Sequence, residues 1–158
     1  MEPLKIPQMS KHEYDDLIRR QYLSRIAFFG GDHPYIAPFL YVFDGKFLYF
    51  LSTKYGRKMT YLGNNPNVSV EIEEYAQDLS SFSFVTLRGR IEEVRNPLQE
   101  KLIRTEFVAM IRKKKLSSHV LSALGHSPGD SVEALATGNR SAVWKLAGVT
   151  EIVALKNG

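Results

Sequence analysis

The stretch Tyr35-Ile36-Ala37-Pro38-Phe39-Leu40-Tyr41-Val42-Phe43-Asp44-Gly45-Lys46-Phe47-Leu48-Tyr49-Phe50-Leu51-Ser52 reads as two strands joined by a tight turn. Asp44-Gly45 is the pair that such a turn asks for, because glycine takes positive φ without steric cost. Successive strand residues point to opposite faces, and here both faces are apolar. A strand apolar on both sides needs cover on both. The pair therefore predicts a sheet that closes into a barrel, with one outer face covered by a helix or by another subunit.

Upstream, Ser10 followed by Glu13 forms a capping-box pattern ahead of a helix over about 11–20. Residues 24–29 read as a strand that stops at Gly30-Gly31-Asp32. Downstream, 55–62 reads as a short helix ended by Gly63-Asn64-Asn65-Pro66, a glycine cap followed by a proline. Two more strands follow, over 68–73 and 83–94. Gly89 inside the second marks a bulge or the close approach of another backbone. Asn96-Pro97 opens a helix that runs to about Lys115, with Leu98, Leu102, Ile103, Phe107, Met110 and Ile111 on one broad stripe. Residues 117–140 look loop-rich, and 142–156 is strand-like with a break expected near Gly148. No repeat or linker divides the chain, so residues 1–158 form one domain. The fold class is mostly β or α+β, a small closed antiparallel barrel with flanking helices.

The chain has 158 residues, 44% hydrophobic and 24% charged, which is ordinary for a globular domain with a real core. No apolar run is long enough to span a bilayer, and Met1-Glu2-Pro3-Leu4-Lys5 does not start like a signal peptide. The absence of cysteine excludes disulfides, thiolate metal sites and cysteine nucleophiles. A cytoplasmic location is the expectation. Of 21 cations, six (Lys101, Arg104, Arg112, Lys113, Lys114 and Lys115) fall in 101–126 with one acid, Glu106. The basicity is thus one patch, read as a solvated helix end rather than the broad stripe of a nucleic-acid protein. The four histidines show no metal-ligand spacing, so no metal site is expected. Of the four, His33 ahead of Pro34 is the best candidate for a titrating group near a ligand, but the reading preferred for it is a plain turn residue. There is no Gly-x-Ser-x-Gly elbow, no Walker loop and no Gly-x-Gly-x-x-Gly.

One segment does suggest a ligand. Ser52-Thr53-Lys54-Tyr55-Gly56-Arg57-Lys58 places two hydroxyls, a glycine and three cations where a strand hands over to a helix. Hydroxyl donors, helix-start N–H groups and Arg/Lys together suit a phosphate. The alternative is a solvated loop in which cations happen to cluster.

Phe50 to Lys58, followed by Asn64-Asn65-Pro66-Asn67-Val68-Ser69-Val70, resembles the FMN-binding region of the pyridoxamine 5'-phosphate oxidase-like family of split-barrel flavoproteins. The hairpin with His33-Pro34-Tyr35, Pro38 to Tyr41 and Asp44-Gly45 is similar to that family too, as is Leu87 to Val94 with the helix after it. The resemblance covers residues 10–115 in order and spacing, and Trp144 onward more weakly. It implies a homodimer with FMN at the subunit interface. Ser52, Arg57 and Lys58 would hold the phosphate, with Thr53 beside them. Pro38, Phe39, Leu40 and Tyr41 would lie along the flavin ring, and Trp144 would pack near it. The oxidases proper carry basic residues where this chain has Ala37 and Val42, so oxidation of pyridoxamine phosphate is not expected. The nitroimidazole-reductase-like branch is the nearer one. The implied function is an FMN-dependent oxidoreductase acting on a small molecule, compatible with a nicotinamide donor. The alternative is a non-enzymatic flavin- or haem-binding protein, with His119 and His126 as the residues that could face haem.

Overall fold

The computed structural model describes residues 2–138 and 140–158. It contains, in chain order, α1 (Lys11–Arg20), β1 (Leu23–Phe28), β2 (Tyr35–Phe43), β3 (Leu48–Thr53), α2 (Arg57–Asn64), β4 (Asn67–Tyr75), β5 (Phe82–Glu93), α3 (Pro97–Lys113), a 3-10 helix (Ser118–Leu124), α4 (Ala134–Thr137) and β6 (Ser141–Asn157). The strands close into an antiparallel barrel in the order β1-β2-β3-β6-β5-β4. The expected barrel with flanking helices is therefore present.

Local chemistry accounts for the element ends. The Ser10 hydroxyl accepts from the Glu13 N–H at 3.2 Å, and the Glu13 carboxylate accepts from the Ser10 N–H at 3.1 Å. The two orphan donors at the start of α1 are thus satisfied reciprocally. Gly45 has φ +95, and one carboxylate oxygen of Asp44 accepts from the N–H groups of Lys46 and Phe47 at 2.8 and 2.6 Å. Asn96 caps α3 by accepting from the N–H groups of Leu98 and Gln99.

Two apolar layers explain why β2 and β3 are apolar on both faces. Phe28, Phe39, Tyr41, Phe50, Ile72, Val85 and Trp144 fill the barrel interior. Val42, Tyr49, Leu51 and Val143 point outward, where Ile103, Phe107 and Ile111 of α3 and Leu121 and Leu124 of the 3-10 helix cover them. The cover on this face comes from the same chain.

Four readings of the sequence need correction. Leu98 and Leu102 are 77% and 67% exposed, so the stripe of α3 is not as broad as its apolar residues suggest. At about 100° per residue they lie about 180° and 140° round the helix from Phe107, at the centre of the buried face. Arg104 is not part of a solvated helix end: it is buried and donates to the Ser141 hydroxyl at 2.9 Å and to the backbone oxygens of Ser141 and Leu135. The strand near Gly148 bulges rather than breaks. Arg88 pairs with Glu151 and Arg90 with Ala147, so three residues of β6 face the single Gly89. A Cβ on Gly89 would lie 2.7 Å from the Ala147 oxygen, which is the close backbone approach expected there. Finally, Glu71, Glu73 and Glu74 of β4, which the sequence alone reads as a solvated strand end, are paired, Glu71 and Glu73 with Arg25 and Glu74 with Arg20.

Candidate functional site

The barrel is split between β2 and β3. Their ladder joins Tyr41, Val42 and Phe43 to Phe50, Tyr49 and Leu48, and goes no further. Below Tyr41, β2 stays paired with β1, while β3 runs on with β6 as far as Thr53 opposite Ser141. The two strands therefore diverge, and a cleft of about 270 Å³ opens between them. The Tyr41 N–H donates across to Tyr22 on the β1 side. By strand alternation the backbone groups of Leu40 then face the cleft, as does the Pro38 carbonyl, while Pro38 has no N–H to offer.

The walls are mostly apolar. Tyr35, Ala37, Pro38, Phe39 and Leu40 of β2 form one side, and Leu51, Ser52 and Thr53 of β3 the other. Val120, Ala123 and Leu124 of the 3-10 helix close the back. The 3-10 helix was hidden in a segment that reads as loop. Its signal was there: Val120, Leu121, Ala123 and Leu124 cluster ahead of Gly125, which takes φ +85 as a helix-ending glycine does.

Lys58 is the cation of this cleft. It is the second residue of α2, whose N-cap Gly56 has φ +100. Its ammonium donates to the Thr53 hydroxyl and stands 5.8 Å from the ring centres of both Phe39 and Tyr55. Among the described residues no carboxylate pairs with it, and burial alone lowers its pKa from the usual lysine value. A half-buried ammonium without a counter-ion, held by a neutral hydroxyl, is suited to receive an anion. Ser52 is buried and its hydroxyl donates to the Thr53 backbone oxygen at 2.7 Å, which fixes the bend.

The remaining predicted site residues separate into two groups. Pro38, Phe39, Leu40, Ser52, Thr53 and Lys58 come together at the cleft. Tyr41 does not: it points into the barrel, is 1% exposed, and its hydroxyl donates to the Ile18 oxygen of α1 at 2.6 Å. Trp144 also faces the interior, 5.5 Å from Phe39 and 6.3 Å from Phe28 between ring centres. It supports the cleft from behind, through Phe39. Arg57 is exposed at the start of α2 and does not line the cleft. His33 is exposed in the β1–β2 loop, away from the lining. His126 is buried, with Nδ1 3.7 Å from Asp130 and no partner at Nε2 among the described residues. Among those residues no group of three or more histidines and carboxylates could hold a metal ion, and no helix is long and apolar enough to cross a membrane.

Comparison with known proteins turns this geometry into a lineage. Residues 10–137 match the model of the pyridoxamine 5'-phosphate oxidase family. The chain belongs to that family. An uncharacterized protein of Rhizobium meliloti is 34% identical over 86 residues, which cover 54% of this chain and 56% of that protein's length. Among solved structures, a FAD-binding protein from Mesorhizobium loti superposes with a TM-score of 0.71 at 20% identity, covering 98% of this chain and all of that one. A FAD-binding protein from Mycobacterium smegmatis gives 0.62 at 16%, covering 96% and 98%. A haem storage protein from Vibrio cholerae gives 0.62 at 14%, covering 91% and 94%. These likenesses establish the split-barrel fold of this family member. Two of the three relatives in this fold carry a flavin in their names.

Proposed function

We propose that this family member is an FMN-dependent oxidoreductase that works on a small molecule, with the flavin held between two copies of the chain. The observation that carries the reading is the split between β2 and β3: free backbone groups at Leu40 along one wall, and at its end a half-buried Lys58 with no carboxylate partner among the described residues. A flat ring with a polar edge and an anionic tail matches that arrangement. Lys58 and Thr53 would bind the phosphate, Ser52 would hold the bend in shape, and Leu40 and Pro38 would orient the ring edge. When bound, the flavin supplies two-electron hydride chemistry, and the chain contributes position, dielectric and exclusion of water.

The cleft volume of about 270 Å³ falls just below the usual range for cofactor sites, about 300–1,000 Å³. Beside it, Leu23 and Ile36 are 46% and 61% exposed. An apolar rim on an undersized cleft favours a second copy as the missing wall. Ala37 lines the cleft and brings no charge, while Val42 is buried under α3 and could not reach a ligand. Without cations at these positions, a second phosphate has no obvious anchor, so the substrate is read as unphosphorylated.

The test is reconstitution with FMN followed by steady-state turnover with NADH or NADPH and an artificial acceptor. A bound flavin spectrum with turnover supports the reading. A bound flavin that the nicotinamides do not reduce would make the protein a flavin carrier. Failure to bind FMN would end the proposal.

A further inference from the structure

A second concave site lies at the barrel end beneath α1, apart from the β2–β3 split. It is a groove of about 280 Å³ bounded by α1, the turn at Gly45-Lys46 and the bulged part of β6. Its floor is sealed: Ile18, Leu48, Leu87 and Leu146 are each at most 7% exposed. Its upper wall is not. Ile152 pairs with Leu87 across β5 and β6 and so points to the same side, yet it is 40% exposed, and Val149 is 41% exposed. The bulge at Gly148, with φ +58, lifts this part of β6 and leaves aliphatic side chains lining a wet concavity.

The rim carries one ion pair and one further cation, Lys46. Lys11 is already paired with Asp15. Lys46 and Lys145 both stand over the Phe47 ring, their ammonium groups 5.2 and 3.8 Å from its centre. Neither has a carboxylate partner among the described residues. Asp44, the acid of the turn, is engaged: one oxygen accepts from the N–H groups of Lys46 and Phe47, and the other from the Tyr49 hydroxyl at 3.3 Å. Of the two, Lys46 lines the groove, so an anion bound there meets an ammonium that has no carboxylate partner among the described residues.

We propose that this groove binds a small aromatic carboxylate, with its ring against Leu48, Leu87 and Leu146 and its acid group toward Lys46. The volume accommodates one aromatic ring with a short chain. Mouths of β-barrels with apolar floors and few polar groups are a recurring setting for such ligands. The site is independent of the flavin reading.

The experiment is an NMR titration of the ¹⁵N-labelled full chain with 4-phenylbutyrate and, separately, with its neutral isostere 4-phenylbutanamide. The expected result is saturable shifts confined to the amides of residues 45–48 and 146–152. At low salt the acid should bind about threefold more tightly than the amide, as for a partly exposed charge pair. Lys46→Gln should remove that preference, and Ile152→Trp should abolish binding by filling the groove. If Ile152→Trp fails to fold, Val149→Trp on the same wall serves the same purpose. Absence of saturation by about 10 mM, equal affinity for acid and amide, or binding undisturbed by a folded tryptophan variant would each overturn the proposal. Shifts at these amides that track protein concentration instead would show a second copy in the groove, and would overturn it as well.

Discussion

The ammonium of Lys58 is held by the hydroxyl of Thr53, across the junction where β3 ends and α2 begins. Both belong to the bend that the sequence marks as a candidate anion site, but they play different parts. Thr53 is fixed by its pairing with Ser141 on β6, and Lys58 by the first turn of α2. The helix therefore delivers a charge, and the strand aims it.

Lys58 and Arg57 should not be equivalent. Lys58→Met should weaken FMN by about 1.5 kcal/mol or more, because a charged hydrogen bond inside the cleft is lost. Arg57→Ala, at an exposed position outside the lining, should cost at most about 1 kcal/mol. Quenching of FMN fluorescence on titration measures both. Equal losses would mean that Arg57 swings in to share the phosphate.

Burial lowers the pKa of Lys58, and this sets the direction of a pH effect. Below its lowered pKa, Lys58 is charged and grips a phosphate. As pH rises through that value the charge goes, at a lower pH than for an exposed lysine. The ratio of FMN to riboflavin affinity isolates the phosphate contribution, because titration of the shared ring cancels. That ratio should fall across the alkaline range before the ordinary lysine value of 10.5 is reached. For stability the sign is opposite. The unfolded chain binds more protons in that window, so Lys58 makes the folded state gain stability as pH rises there. A flat ratio from neutral pH to the ordinary lysine value would contradict the assignment.

Gly30 couples the barrel to the site. A Cβ there would lie 1.9 Å from the Tyr61 backbone oxygen of α2, and Asn64 donates to the Gly30 oxygen at 2.8 Å. Gly30→Ala must push α2 away, and Lys58 travels with that helix. We expect a stability loss of about 1–3 kcal/mol in urea unfolding together with several-fold weaker FMN binding. Loss of stability with unaltered affinity would show that α2 re-seats without moving Lys58.

Arg104 ties α3 to α4 and to the start of β6. Arg104→Leu would leave the backbone oxygens of Ser141 and Leu135 without their buried donor and Glu100 without its partner. Breaking a buried charged network from one side costs about 3–5 kcal/mol, to be read from urea midpoints. A loss under about 1 kcal/mol would mean that water replaces the guanidinium.

How much of this was legible in the sequence follows from the range of the signals. Turn and cap chemistry is local, so Asp44-Gly45, the Ser10–Glu13 box and Asn96-Pro97 marked their elements within a residue or two. The two-faced burial of β2 and β3 was equally readable, because apolar residues on both alternation faces leave no other arrangement. Which apolar residues point at a ligand was not readable. Phe39, Tyr41 and Trp144 look alike as aromatic strand residues. All three turn into the barrel, and only the register and the split decide that Phe39, at the open end, also lines the cleft while Tyr41 and Trp144 do not. The amphipathic pattern of α3 misled for a related reason: Leu98 and Leu102 are apolar, but the helix buries the opposite face and uses Arg104 there. The contribution of the 3-10 helix depends on a loop folding back over β3, a long-range event that no local pattern encodes.

The most direct measurement is the set of backbone amide shifts that FMN induces in the ¹⁵N-labelled protein. The account predicts that the largest changes fall on Leu40, Thr53, Lys58 and Ala123, the walls of the split between β2 and β3. Saturable binding whose shifts fall elsewhere and leave Leu40 and Lys58 unmoved would contradict it.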